Sequence, residues 1–206
     1  MPMRTRAAAL AALTVAALAA GTVLTAPAGA APMKAPWPRF LAASELPPHP
    51  SSTWTASPVA DGFPAELAPC LGEGVPAYDY RHRVFHTDLD TGAVQVTVVT
   101  GSAAKGKALA ALLDEEIGSC ADRIEQSDPD IEAEGRSYGS LPVEEGARVH
   151  GLHTATSWGA TDVHLLSVGR DGRTVTVVGW GQMGDFDDAP VGAFKKTTTR
   201  AVEKLY

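Results

Sequence analysis

Two cysteines, Cys70 and Cys120, constrain the fold of this 206-residue chain more than any other pair of residues. Since the sequence holds no third cysteine, only one intramolecular disulfide can form. A bridge between them would close a loop of about 50 residues, and the entropy lost by the unfolded chain is worth about 4 kcal/mol. A metal site requires more soft ligands than these two. The pair therefore predicts a disulfide, provided that the chain folds in an oxidising compartment.

The first 30 residues predict that compartment. Arg4 and Arg6 precede an apolar run over 7–24, and Ala28-Gly29-Ala30 supplies the small residues that signal peptidase requires. This order is typical of a cleaved signal peptide, and an uncleaved membrane anchor is the alternative. Cleavage after Ala30 predicts a secreted or extracytoplasmic protein of the cell envelope, with no stable membrane insertion after the peptide is removed.

Removal of 30 residues leaves 176, a length that suits one domain. The signal peptide holds two of the 17 basic residues and none of the 24 acidic ones, so 15 basic and 24 acidic residues remain. The resulting net charge of −9 disfavours a nucleic-acid partner and an anionic lipid surface.

Composition divides the exported part into two segments. Residues 31–79 are rich in proline, which removes backbone donors and favours extended geometry. We expect this segment to be a lead-in of loop with one short helix at Arg39–Glu45. Regular hydrophobic patterns begin near residue 80, so the segment 80–206 is predicted to be the folded domain.

The patterns in 80–206 follow the order ββαββββα. A helix over 103–125 directs Cys120 toward the core, and the last helix is predicted to begin at Asp188 as its N-cap. This order predicts an α+β fold with a largely antiparallel sheet, two main helices packed on it and one disulfide. The strands are predicted over 83–89, 93–100, 131–138, 146–155, 163–169 and 174–180.

Gly101–Lys107 contains two patterns that are typical of catalytic or phosphate-binding loops. The segment matches G-x-x-x-x-G-K, but Ala108 replaces the hydroxyl residue that holds magnesium. Ser102 and Lys105 match the Ser-x-x-Lys pair of penicillin-binding proteins, but the partner motifs of that family are missing. We interpret the segment as a helix N-terminus that Ser102 caps.

The other patterns predict no metal site and no catalytic centre. Asp90-Thr91-Gly92 matches one aspartic protease triplet, but that chemistry needs two, and a hairpin turn explains the residues. His82 and His86 lie on one strand about 13 Å apart, too far for one ion. We therefore predict no catalytic residue, no metal and no cofactor.

Aromatic residues near glycines provide the candidate ligand-binding residues. Trp158 and Trp180 lie in or beside the predicted sheet, and His164 lies in the strand between them. Such side chains line ligand pockets, although burial in the core is the alternative role. The sequence thus assigns Trp158, His164 and Trp180 to ligand binding.

The chain resembles the PknH-like extracellular sensor domains of actinobacteria. The resemblance rests on the opening segment Phe40–Leu46, Cys70 after a proline-rich stretch, the alanine-faced helix Ala108–Cys120, the hairpin Val163–Val178 and the closing helix. It spans about 40–206 and consists of spacing and order. The chain departs from the mycobacterial pattern, which has two disulfides, and we expect no kinase or membrane helix to be attached to it.

The resemblance implies an α+β domain displayed outside the cell, in which a cleft holds a ligand. We therefore expect an exported, non-enzymatic, ligand-binding or sensor-like domain whose partner is an extracytoplasmic small molecule or a cell-envelope component. A small secreted hydrolase or transferase acting on cell-wall material is the alternative. That alternative needs a base near Ser102, or a histidine cluster around His82, His150 or His164. A third possibility is an interaction protein whose lead-in contacts a partner.

Overall fold

The computed structural model describes residues 37–72 and 75–206. The predicted signal peptide, residues 1–30, lies outside them. The strands within the described residues are β1 Thr55–Ala56, β2 Ala60–Asp61, β3 Arg81–His86, β4 Gly92–Val99, β5 Ile131–Leu141, β6 Ala147–Thr156, β7 Thr161–Asp171 and β8 Thr174–Met183. The helices are α1 Ala68–Leu71, α2 Ala103–Gly118, α3 Cys120–Ser127 and α4 Val191–Glu203, with 3-10 turns at Ala43–Glu45 and Ala65–Leu67.

The strands form one antiparallel sheet. Their order is β1-β3-β4-β8-β7-β6-β5, and β2 pairs with β3 beside β1. The hairpin β3–β4 and the run β5–β8 are joined because β4 pairs with β8 over its whole length, from Gly92 opposite Gly181 to Val99 opposite Thr174. The predicted α+β fold with a largely antiparallel sheet is confirmed.

Helices cover both faces of the sheet. Successive strand residues point to opposite faces, so Val94 lies in the core with α2 and α3, whereas Ala93 lies in the core with α4. The first face buries three α2 side chains spaced at about one helical turn, Leu109, Leu113 and Ile117. The second face buries Phe194 and Ala201 of α4.

The predicted disulfide is confirmed. Cys70 in α1 is bonded to Cys120, the first residue of α3, and both are buried. The bond joins the end of the lead-in to the helical layer, and Arg123 of α3 reinforces the contact by donating from Nη2 to the Cys70 carbonyl at 2.6 Å.

The helix predicted over 103–125 is divided in two. α2 ends at Gly118 and α3 begins at Cys120. The Ser119 hydroxyl donates to the carbonyl of Glu115, four residues earlier, at 2.9 Å. A serine that bonds back to the helix in this way bends it, and the bend follows Gly118, a residue type that destabilises helix interiors.

The last helix begins later than predicted. α4 begins at Val191 with Pro190 as its N-cap, and no side chain caps it. Asp188 Oδ2 instead accepts the N–H of Asp185 at 3.0 Å, which closes the loop that precedes the helix. The prediction of Asp188 as the N-cap is therefore wrong, because its carboxylate is used within this loop.

The proline-rich lead-in packs on the domain, and the described residues form one compact unit. Leu41 is fully buried, and its N–H donates to the side-chain oxygen of Gln95, a buried residue of β4, at 2.7 Å. The Glu45 carbonyl accepts from the Thr197 hydroxyl of α4 at 2.7 Å. These contacts hold the lead-in across the face that α4 covers.

Candidate functional site

A cavity of about 200 Å³ lies where the lead-in crosses the end of the sheet. We call it the Trp54–Trp180 cavity. Its walls come from the lead-in, the loop between β3 and β4, the end of β8 and the residues that lead into α4. The lining residues are Pro47, Pro48, His49, Pro50, Trp54, Thr91, Trp180, Gln182, Asp188 and Pro190.

The sheet supplies the floor of the cavity. Trp180 and Gln182 are two apart on β8, so both face the side that α4 covers. Trp180 is opposite Leu165 of β7 and only 4% exposed, and it belongs to the same core as Phe194. The floor is therefore held by strand pairing and by core packing.

The lead-in supplies a second wall, and its backbone is restrained at both ends. The Trp54 indole donates from Nε1 to the carbonyl of Pro47 at 2.7 Å, so the two ends of the Pro-Pro-His-Pro segment are linked. Proline fixes the backbone φ of that segment. Buried Leu46 precedes it, and β1, which follows it, pairs with β3.

The lining is mixed, since four polar residues stand beside the four prolines and the two tryptophans. The Thr91 hydroxyl donates to Gln182 Oε1 at 3.4 Å, which leaves the amide nitrogen of Gln182 without a hydrogen-bond acceptor among the described residues. His49 Nδ1 accepts the N–H of Ser51 at 3.2 Å. Asp188 uses Oδ2 for the Asp185 N–H, so its other oxygen is available at an exposed position. The cavity thus combines rings with a few oriented polar groups, as small-molecule sites do.

A wider depression of about 660 Å³ adjoins the cavity and shares His49 and Pro50 with it. It is open to solvent, and Leu89 on its edge is 55% exposed. The other lining residues are Ser51, Ser52, Thr53 and Asp88. We call this depression the entrance of the cavity, because the two spaces share part of their lining.

The structure separates the three residues that the sequence assigns to ligand binding. Trp180 lines the cavity, whereas Trp158 lies in the turn between β6 and β7 and is 70% exposed. His164 is opposite Gly181 on the strand pair, so it faces the side of α2 and α3. Sequence reasoning missed Trp54 and Gln182; the signal for Trp54 is an aromatic residue four positions after Pro50, the last proline of the run.

His164 is half-buried beside the backbone of β8. Its ring lies so close to Gly181 that a Cβ built there would be 2.4 Å from Nδ1. Burial lowers the pKa of His164, and the nearby Asp162 carboxylate raises it to a smaller extent. Burial disfavours the charged imidazolium relative to the neutral ring, because the charged form would lose its hydration.

We expect His164 to make the protein less stable as the pH falls below about 6.5. Its pKa is lower in the folded state, so the unfolded chain binds more protons in this window and gains stability from them. His164→Gln should therefore flatten the fall in melting temperature between pH 7 and pH 5. His86→Gln, which changes an exposed histidine of β3, is the control and should follow the parent profile. Equal slopes for His164→Gln and the parent would contradict the assignment.

Ser102, His150 and His82 are residues that the enzymatic alternative would use, and each makes a hydrogen bond that supports the fold. Ser102 Oγ accepts the N–H of Lys105 at 3.2 Å, so Ser102 is the N-cap of α2 as predicted. His150 Nε2 lies 2.7 Å from Asp114 Oδ1, in a hydrogen bond between β6 and α2. His82 Nδ1 lies 2.9 Å from the carbonyl of Gly62, at the opposite edge of the sheet from β5.

Within 37–72 and 75–206, no group of three or more histidine, cysteine, aspartate or glutamate side chains has the arrangement of a metal site. None of the helices in the same ranges has both the length and the apolar character that crossing a bilayer requires.

Compared with known proteins, the chain matches no family model, and no curated protein matches it.

Proposed function

We propose that this chain is an exported, non-enzymatic, ligand-binding domain of the PknH-like sensor type, which holds a small extracytoplasmic molecule in the Trp54–Trp180 cavity. The observation that carries the proposal is the construction of this cavity. Two tryptophans and four prolines provide its apolar lining, and Gln182 and Asp188 present polar atoms that the fold does not use. Polar atoms placed in an apolar cleft orient a bound molecule.

The disulfide and the leader segment support the location. A bond between Cys70 and Cys120 persists in an oxidising compartment. The signal-peptide pattern in 1–30 would deliver the chain there. A molecule outside the cytoplasm is therefore the appropriate ligand.

Preorganisation of the site also favours binding. The Trp54 ring is held by Pro47, and Trp180 is held by the core, so ligand entry requires little ordering of these two side chains. A site that is formed in advance gains affinity because the entropic cost of binding is smaller.

A thermal-shift screen of the purified protein tests the proposal. The panel contains muropeptides, sugars, amines, lipids, nucleotides and divalent metals. A compound present at 100 times its dissociation constant stabilises the folded state by about 2.7 kcal/mol, which is a shift of several degrees for a domain of this size. We expect a shift from at least one small organic compound, and we expect Trp54→Ala to abolish it.

Trp158→Ala is the matched control, because it removes an exposed tryptophan that does not line the cavity. It should leave the ligand-induced shift unchanged. A shift that survives Trp54→Ala but is lost in Trp158→Ala would place the site at the β6–β7 turn and contradict the proposal. Circular dichroism of each variant without ligand verifies that the fold is retained.

A further inference from the structure

The charged side chains that line the Trp54–Trp180 cavity and its entrance are carboxylates. Asp188 lines the cavity and Asp88 lines the entrance, and no lysine or arginine stands among the described residues that line either space. His49 is the one basic group in the lining. An anionic ligand would meet two carboxylates and no positive partner of permanent charge.

The loops beside these residues increase the negative potential. Asp185 and Asp187 belong to the same loop as Asp188, and Asp90 follows Asp88 by two residues. None of these five aspartates takes part in the salt bridges formed within the described part of the chain. The Arg136 guanidinium, 3.9 Å from the centre of the Phe186 ring in the same loop, offsets part of this charge. The remaining excess of negative charge around the cleft raises the local concentration of ligands of the opposite sign.

The interior of the cavity favours an apolar cation over a hydrated one. Trp54 and Trp180 line it together with Pro47, Pro48, Pro50 and Pro190, so a metal ion or a bare ammonium ion would lose its water without enough oxygen ligands. A cation whose charge is spread over methyl or methylene groups favours the apolar lining over water. Indole rings attract such groups through their negative faces.

We propose that the cavity binds a small organic ammonium ion, with its alkyl groups against Trp54 and Trp180 and its charge next to Asp188. This inference rests on the proposed function. The volume of about 200 Å³ suits a single ammonium group with a short substituent. The amide nitrogen of Gln182, which lacks an acceptor among the described residues, is placed to donate to a hydroxyl or carbonyl oxygen on that substituent.

Choline and 3,3-dimethyl-1-butanol provide a direct test, because they share one shape and differ in charge. Calorimetric titration of the purified protein should give choline an affinity at least tenfold higher than that of the neutral alcohol. The choline affinity should fall as salt rises, because the attraction is electrostatic. Asp188→Asn should remove most of the difference between the two compounds.

Asp188→Asn preserves an oxygen that can accept the Asp185 N–H, so the loop is retained. Asp187→Asn is the matched control, since it neutralises an exposed aspartate of the same loop that does not line the cavity. It should reduce choline affinity far less than Asp188→Asn does. Unchanged choline binding in both Asp188→Asn and Trp54→Ala would overturn the inference, because the ion would then bind elsewhere.

The remaining outcomes separate this inference from the proposed function. Equal affinities for choline and the alcohol, with both lost in Trp54→Ala, would overturn the preference for a cation and leave the cavity as a binding site. Another outcome is that a neutral sugar raises the melting temperature in a Trp54-dependent way while choline does not bind. That result would also overturn the preference for a cation and leave the cavity as a binding site. If choline does not bind and no compound of the wider panel shifts the melting temperature, both the inference and the proposed function fail.

Discussion

Loss of the Cys70–Cys120 disulfide is expected to lower the melting temperature by about 8–16 °C. The bond joins residues 50 apart in sequence. Opening a loop of this length returns conformational entropy to the unfolded chain that is worth about 4 kcal/mol. Each kcal/mol corresponds to about 2–4 °C for a domain of 150–250 residues. Differential scanning calorimetry with and without reductant measures the effect.

The double variant Cys70→Ala, Cys120→Ala is the control for reduction. Its melting temperature should match that of the reduced parent and should not respond to reductant. Both cysteines belong to the core between the sheet and α2, whereas Trp180 belongs to the core on the α4 face. Ligand binding in the Trp54–Trp180 cavity should therefore survive below the melting temperature. A loss of less than 1 °C would show that this bond does not restrict the unfolded chain as assumed.

Short sequence patterns correctly predicted several strands and turns of the sheet. The strands near β4 and β8 follow from alternating valines and threonines, and the turn between β7 and β8 follows from Asp171-Gly172. The orientation of Cys120 toward the core follows from its helical spacing with Leu109, Leu113 and Ile117. In each case, the residues that decide the structure are close together in sequence.

The candidate site could not be predicted in this way, because its parts meet only in the folded chain. Trp54 and Trp180 are brought together by the pairing of β4 with β8 and by the packing of the lead-in across that end of the sheet. The pairing partner of β8 and the path of the lead-in leave no local signature. Gln95 illustrates the difficulty: a fully buried amide on β4 accepts from the backbone of Leu41, 54 residues earlier.

Gly106 shows how a motif that indicates chemistry can have a packing origin. It is the second glycine of the G-x-x-x-x-G-K pattern and lies in the first turns of α2. A Cβ built on it would lie 2.9 Å from the carbonyl oxygen of Gly172 and 3.1 Å from backbone atoms of Arg173. The β7–β8 turn therefore packs directly on the helix backbone. Close approach of two backbones accounts for this glycine without any bound phosphate.

Gly106→Ala is therefore expected to destabilise the protein by about 2–3 kcal/mol, a fall of roughly 4–12 °C in melting temperature. Alanine favours a helix by about 1 kcal/mol over glycine, but the new methyl group meets backbone atoms that cannot rotate away. The turn or α2 must then move, and the contacts of Leu109 with the sheet would loosen. Urea unfolding measures the change in the free energy of unfolding, provided that the variant and the parent have the same dependence of this free energy on urea concentration.

Gly192→Ala is the matched substitution with the opposite expected sign. Gly192 is also helical, near the start of α4, and a Cβ there would have no atom within 4 Å. With no clash to offset it, the helical preference of alanine should raise stability by up to about 1 kcal/mol. If Gly106→Ala stabilises the protein as Gly192→Ala does, the turn does not press on α2. The glycine would then need another explanation, and phosphate binding at this helix N-terminus would have to be tested directly.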